Sequence, residues 1–178
     1  MNSPLPSHNV FLIGPMGSGK TAVGKQLARL LDLTFYDSDV EIERRTGVDI
    51  PYIFEKEGES GFRERERDVL DALTQLHDVI IATGGGAVLL PENRDRLAAR
   101  GCVVYLRTGI RQQLERTRHG RQRPLLYTAD PEAKLRELME VRAPLYESIA
   151  AVTVATDGRH VRVVADDIFE KLRSLPTP

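Results

Sequence analysis

The sequence predicts an α/β fold in which a five-stranded parallel sheet carries helices on both faces. Three observations lead there. Five short apolar runs rich in β-branched residues alternate with stretches of helical periodicity, and strands joined through helices run parallel and are covered on both sides. The first run, Val10-Phe11-Leu12-Ile13, leads directly into Gly14-Pro15-Met16-Gly17-Ser18-Gly19-Lys20-Thr21, a full match to G-x-x-x-x-G-K-[ST] at a strand-to-helix turn. At 178 residues the chain suits one domain, long enough to bury about 70% of its unfolded surface.

Residues 1–8, with two prolines and two serines, read as an unpaired leader. After the first strand, Gly14, Gly17 and Gly19 let successive N–H groups point at one anion, and Lys20 can reach the β and γ phosphates. The Thr21 hydroxyl can ligate Mg2+, and the helix starting there adds its positive dipole end. A glycine turn that merely joins strand to helix is the plainer alternative. The helical face made by Val23, Leu27, Leu30 and Leu31 completes strand, loop and helix, which favours a bound nucleoside triphosphate.

The second strand, Thr34 to Tyr36, ends in Asp37-Ser38-Asp39. Two carboxylates at the same rim as the phosphate loop can hold Mg2+ and accept a proton from an attacking hydroxyl. The same residues also suit the N-cap of a helix beginning Val40-Glu41-Ile42-Glu43, so both readings stand, the pair together tilting toward function. From Val40 to about Leu76 the pattern is helical without a strand, longer than a crossover needs and able to carry a second substrate. Within it, Gly58 to Arg67 reads most simply as a solvated helix with pairs such as Arg63 with Glu66 or Arg67.

The third strand, Val79 to Ala82, runs into Thr83-Gly84-Gly85-Gly86, where backbone approaches a ligand closely or makes a tight turn. Pro91 to Arg100 is a helix, Val103 to Leu106 the fourth strand, and a helix follows from about Ile110. The most basic segment, Arg116 to Leu126, is a lid if it lies opposite a triphosphate, where arginines neutralise charge and exclude water. A nucleic-acid patch would want interleaved aromatics, which the segment lacks. Pro144 is expected to bend or interrupt the helix around Arg142, and the fifth strand is Val152 to Ala155. Right-handed crossovers gather the loops after Ile13, Tyr36, Ala82 and Leu106 on one rim. Pro176-Thr177-Pro178 reads as a frayed end.

With 25 basic and 26 acidic side chains the net charge is -1, giving no reason to expect nucleic acid or an anionic membrane as partner. No apolar run approaches the ~20 residues of a transmembrane helix and the N-terminus has no signal-peptide pattern, so a cytoplasmic protein is expected. His8, His77, His119 and His160 show no metal-ligand spacing, so any metal should arrive with the nucleotide. Cys102, the sole cysteine, reads as a small core residue.

Five motifs in order resemble the shikimate kinases from Val10 to about Leu172: GPMGSGKT at Gly14 to Thr21, DSD at Asp37 to Asp39, FRERE at Phe62 to Glu66, TGGG at Thr83 to Gly86, and RPLL at Arg123 to Leu126. RAPLY at Arg142 to Tyr146 is a sixth. The resemblance implies ATP-dependent phosphorylation of the shikimate 3-hydroxyl with Mg2+, on a three-layer fold like that of nucleoside monophosphate kinases with strand order 2-3-1-4-5. A monomer is expected. One domain over 1–178 is expected, with phosphate loop and core at 9–37, a substrate-binding insertion at 38–68, core at 79–110, a lid at 116–127 and core at 130–174.

Carried over by motif, Gly17, Ser18, Gly19, Lys20, Thr21 and Ala22 hold the nucleotide, with Arg116 and Arg159 toward adenine. Thr21 and Asp37 support the metal. Lys20, Asp39 and the lid residue Arg123 are the catalytic set, while Arg63 and Arg142 grip the substrate carboxylate beside Gly84, Gly85 and Gly86. Phe54 and Phe62 wall the ring. The lid insert RHGRQ is more basic than in many relatives. A gluconate kinase of the same fold is the nearest rival, and the DSD, FRERE and TGGG set speaks against it. A GTPase-type switch would need [NT]-K-x-D and D-x-x-G, and neither pattern occurs.

Overall fold

A computed structural model describes residues 9–118, 120 and 123–176. The leader over 1–8, His119, Arg121 and Gln122 of the lid, and Thr177 and Pro178 lie outside the described residues.

The elements follow in the order β1 (Val10–Ile13), α1 (Lys20–Leu31), β2 (Thr34–Asp37), α2 (Ser38–Thr46), α3 (Ile50–Leu73), β3 (Val79–Ala82), α4 (Pro91–Arg100), β4 (Cys102–Arg107), α5 (Ile110–Thr117), α6 (Pro131–Ile149), β5 (Val152–Ala155) and α7 (Val161–Arg173). Single 3-10 turns lie at Ala87–Leu89 and Pro124–Leu126. The five strands form one parallel sheet in the order β2-β3-β1-β4-β5. In its centre Phe11 pairs with Ile81 on one side and Val103 on the other.

The central strands β1 and β3 serve two cores, which is why they are apolar at every position. Phe11, Ile13, Ile81, Val103 and Tyr105 face Leu70 and Leu73 of α3, Leu97 of α4 and Tyr146 of α6. Val10, Leu12, Ile80, Val104 and Leu106 face Leu27 of α1 and Ile168 and Leu172 of α7. The period-two alternation of side chains across a strand produces this division.

Two local features differ from simple expectation. Pro144 does not interrupt α6, which runs unbroken for 19 residues. Proline there forfeits one backbone bond, and the buried residues Leu135, Arg142 and Tyr146 hold the helix against that loss. By contrast α3 breaks at Gly58, whose φ of 69° and ψ of -177° are not helical. The break redirects the chain between Phe54 and Phe62, whose rings meet at 4.9 Å.

Candidate active site

The phosphate loop joins β1 to α1 with Gly14 at φ 147°, Gly17 at 75° and Gly19 at 88°, a region that side chains with a Cβ rarely adopt. Space excludes a side chain too, since a Cβ on Gly14 would stand 2.6 Å from the Leu106 carbonyl oxygen. The loop is thus pressed against the end of β4. Lys20 Nζ curls back into it, donating to Gly14 O at 2.8 Å, Pro15 O at 2.9 Å and Ser18 Oγ at 3.3 Å. Burial lowers the Lys20 pKa to about 8, helped by Arg123 and Arg142 and opposed by Asp39 and Asp37.

Asp37 caps α2 and also holds the Thr21 hydroxyl. One oxygen accepts from the backbone N–H of Asp39 at 3.0 Å and of Val40 at 3.3 Å, capping α2, while the other accepts the Thr21 hydroxyl at 2.6 Å. Thr21 and Asp37 together present hard oxygen donors beside the loop, which suits Mg2+ held by few protein ligands and by phosphate. Among the described residues no cluster of three or more His, Cys, Asp or Glu could hold a metal by itself. Ala22 is exposed in the first turn of α1. Arg116 Nη1 donates to Gly17 O at 2.9 Å and so lies across the loop. Arg159 donates to Ala155 O on β5 and to Asp167 on α7.

Beside the loop lies a cavity of about 290 Å³. Asp39, Phe54, Phe62, Arg63, Gly84, Gly85, Gly86, Arg123 and Arg142 all line it, so residues spread over a hundred positions meet at one place. The solvated-helix reading of Gly58 to Arg67 is corrected here. Arg63 and Glu66 pair at 2.7 Å and Glu66 is 0% exposed, whereas Arg65 pairs with Glu57 in solvent. The triple glycine has a steric cause. A Cβ on Gly84 would stand 2.5 Å from Glu66 Oε1 and 3.0 Å from Asp39 Oδ1, and one on Gly86 would collide with the Arg63 guanidinium.

Charge is concentrated in this small volume. The Asp39 carboxyl is pushed up to about 7 by burial first, then by Glu66 and Asp37, against the pull of Lys20 and Arg63. Burial lowers Arg142, and the neighbouring Arg63 lowers it further. Burial also acts to lower Arg63, but Glu66 and Glu59 outweigh it and hold the guanidinium in its charged form. Burial lowers Arg123, with Asp39 opposing. Asp39 Oδ1, Arg63 Nε, Glu66 Oε1 and Arg142 Nη2 are buried with no hydrogen-bond partner among the described residues. Buried polar atoms left open cost stability unless a ligand completes them. Two carboxylates and two guanidinium groups lining one cavity fit a small anion that also carries hydroxyls.

The family model of shikimate kinase matches residues 16–173. The chain belongs to the shikimate kinase family. The shikimate kinase of Halorhodospira halophila (strain DSM 244 / SL1) is 56% identical over 168 residues, covering 94% of this chain and 95% of that protein. Among solved structures, a shikimate kinase from Acinetobacter baumannii in complex with shikimate superposes with a TM-score of 0.92 at 51% identity, covering 93% of each chain. A gluconokinase from Sinorhizobium meliloti 1021 superposes at 0.60 with 17% identity, a likeness of fold alone.

As a shikimate kinase family member the chain also holds residues that motif reading left without a role. Glu66 sits inside FRERE one turn after Arg63, and that i, i+3 spacing was the available signal for the pair. Ser38 Oγ accepts from Gly84 N at 3.0 Å, fastening the second motif to the fourth across 46 positions. No pattern in the sequence announces that bond.

Proposed function

We propose that this protein transfers the γ-phosphoryl group of ATP to the 3-hydroxyl of shikimate, yielding shikimate 3-phosphate and ADP on the route to chorismate and the aromatic amino acids. The observation that carries the reading is the cavity in which buried Arg63 and Arg142 stand beside Asp39, directly against a phosphate loop. Arg63 and Arg142 take the carboxylate, Phe54 and Phe62 wall the ring, and the Gly84 to Gly86 backbone bounds its other side. Asp39 receives the hydroxyl proton, and a pKa near 7 suits a group that must take a proton and return it at neutral pH.

Gly17, Ser18, Gly19, Lys20, Thr21 and Ala22 hold the triphosphate by backbone N–H groups and one ammonium. Arg116 and Arg159 flank the base. Thr21 and Asp37 hold Mg2+, which when bound neutralises phosphate charge. Arg123 enters from the lid with Pro124 and Leu125 and excludes water from the transfer. The enzyme acts as a cytoplasmic monomer.

A coupled ADP-release assay with shikimate, gluconate, nucleoside monophosphates and water as acceptors tests the proposal. Shikimate should be turned over at least about 10²-fold faster than any other acceptor, because an unmatched buried polar group penalises the wrong ligand heavily. Comparable rates with gluconate, or ADP release without acceptor, would overturn it.

A further inference from the structure

Tyr146 stands one helical turn after Arg142 on α6, fully buried, with its ring stacked on Tyr105 of β4 at 5.0 Å and an interplanar angle of 26°. Its hydroxyl donates to the Gly85 carbonyl oxygen at 2.5 Å, 61 positions away in the sequence. Burial drives the phenol pKa upward, so the group stays protonated and remains a donor at any physiological pH.

Gly85 is the centre of the site's traffic. Its neighbour Gly84 borders Asp39 and Glu66, its other neighbour Gly86 borders Arg63, and a Cβ on Gly85 itself would stand 3.5 Å from Arg142 Nη1. A single phenol therefore ties the helix that supplies one guanidinium to the backbone segment that packs against the other. Tyr105 beneath it removes the freedom to swing away.

We infer that Tyr146 is a positioning residue that sets the spacing of Arg142 and Arg63 through the Gly85 peptide, and so determines how well the acceptor's carboxylate is read. This rests on the carboxylate grip proposed above. The hydroxyl touches neither reacting atom. Its influence belongs in acceptor affinity and acid selectivity, and not in the phosphoryl transfer itself.

The experiment compares wild type with Tyr146→Phe, using shikimate and shikimate amide as acceptors, and records kcat, both KM values and the unfolding midpoint. Phenylalanine keeps the stacked ring and strips only the donor, leaving the Gly85 carbonyl without its partner. The KM for shikimate should rise about 10-fold, with kcat and the KM for ATP within about twofold of wild type. The amide should lose much less, so that acid-over-amide selectivity falls. If acid and amide weaken equally, or the KM for ATP rises in step with that for shikimate, Tyr146 only holds up the fold and the inference is wrong. Failure of the underlying reading looks different, because wild type itself would then fail to distinguish acid from amide. Should Tyr146→Phe fold poorly, the cycle Tyr146→Phe with Arg142→Lys at lower temperature decides the matter. Coupled effects on acceptor KM support the inference, and additive ones overturn it.

Discussion

The phosphate loop and the acceptor cavity both suit anions, but they are built on opposite principles. The loop is one continuous stretch whose binding groups are mostly backbone N–H, made available by three glycines at positive φ and one lysine. The cavity is assembled from the ends of β2 and β3, from α2 and α3, the lid and α6, and its charged groups are side chains. A continuous anion site takes its binding groups from residues a few positions apart in the sequence. An assembled one exists only in the folded chain, and its buried charges burden the fold that makes it. The neighbours on α3 show the same contrast on a smaller scale, with Arg63 and Glu66 buried and Arg65 and Glu57 in water.

The largest effect is expected at Lys20, the loop's single charged side chain. Lys20→Ala should lower turnover about 10³-fold or more, because the lost charge acts on the phosphates, while the circular dichroism spectrum stays that of wild type. Turnover near wild type with unchanged structure would remove the loop from the mechanism.

Next come the two arginines of the cavity, which should separate from each other. Arg63→Ala and Arg142→Ala should each raise the KM for shikimate by roughly 30-fold to several thousand-fold, since each leaves a desolvated partner charge uncompensated. Lysine should rescue poorly, lacking the two-point fork. Arg63→Ala should in addition cost about 3 to 5 kcal/mol of stability by stranding Glu66, which is 0% exposed, as read by denaturant unfolding without substrate. Equal stability losses in both variants would mean that the Arg63–Glu66 pair is not what distinguishes them.

Asp39 links the two regions. Asp39→Asn should reduce kcat about 10²-fold if Asp39 receives the proton, with ATP affinity hardly changed. Its stability effect has the opposite sign. The folded pKa of about 7 lies above the ordinary 3.8, so the native state binds the extra proton between those values and loses the associated stability as pH rises through 7. In metal-free protein Asp39→Asn should therefore be more stable than wild type above pH 7, and the advantage should fade toward pH 4. Unfolding curves at pH 4.5, 6 and 8 check this, and a constant difference would contradict the burial of that charge.

The smallest effect should come from Arg65. Arg65→Ala removes a solvent-exposed pair on the same helix and should leave kcat and KM within about twofold and the unfolding midpoint almost unmoved. A loss comparable to that of Arg63→Ala would erase the distinction between the two faces of α3.

Legibility followed the same division. Val10 to Ile13 and Val79 to Ala82 were readable as strands because a parallel strand buried on both faces is apolar throughout. Asp37 was readable as a helix cap, and it caps α2. The charge alternation in FRERE, however, could not say which arginine is buried. Helical spacing relates residues on one helix to each other, and only the glycines after β3 and the arrival of α6 decide which face meets the core. The meeting of Arg63 with Arg142 came from resemblance to a family, not from any periodicity.

The sequence by itself determined the phosphate loop, the five strands and the chemical types the site would use, because each depends on residues within a few positions of one another. Tertiary structure alone decided that Ser38 holds Gly84 across 46 positions and that Tyr146 holds Gly85 across 61. It also decided that the Asp39 carboxyl and the Arg63–Glu66 pair lie where water is scarce. The physical reason is that desolvation and long-range hydrogen bonds are properties of surroundings. A residue's surroundings are set by segments that pack against it from elsewhere in the chain, and local pattern carries no record of them.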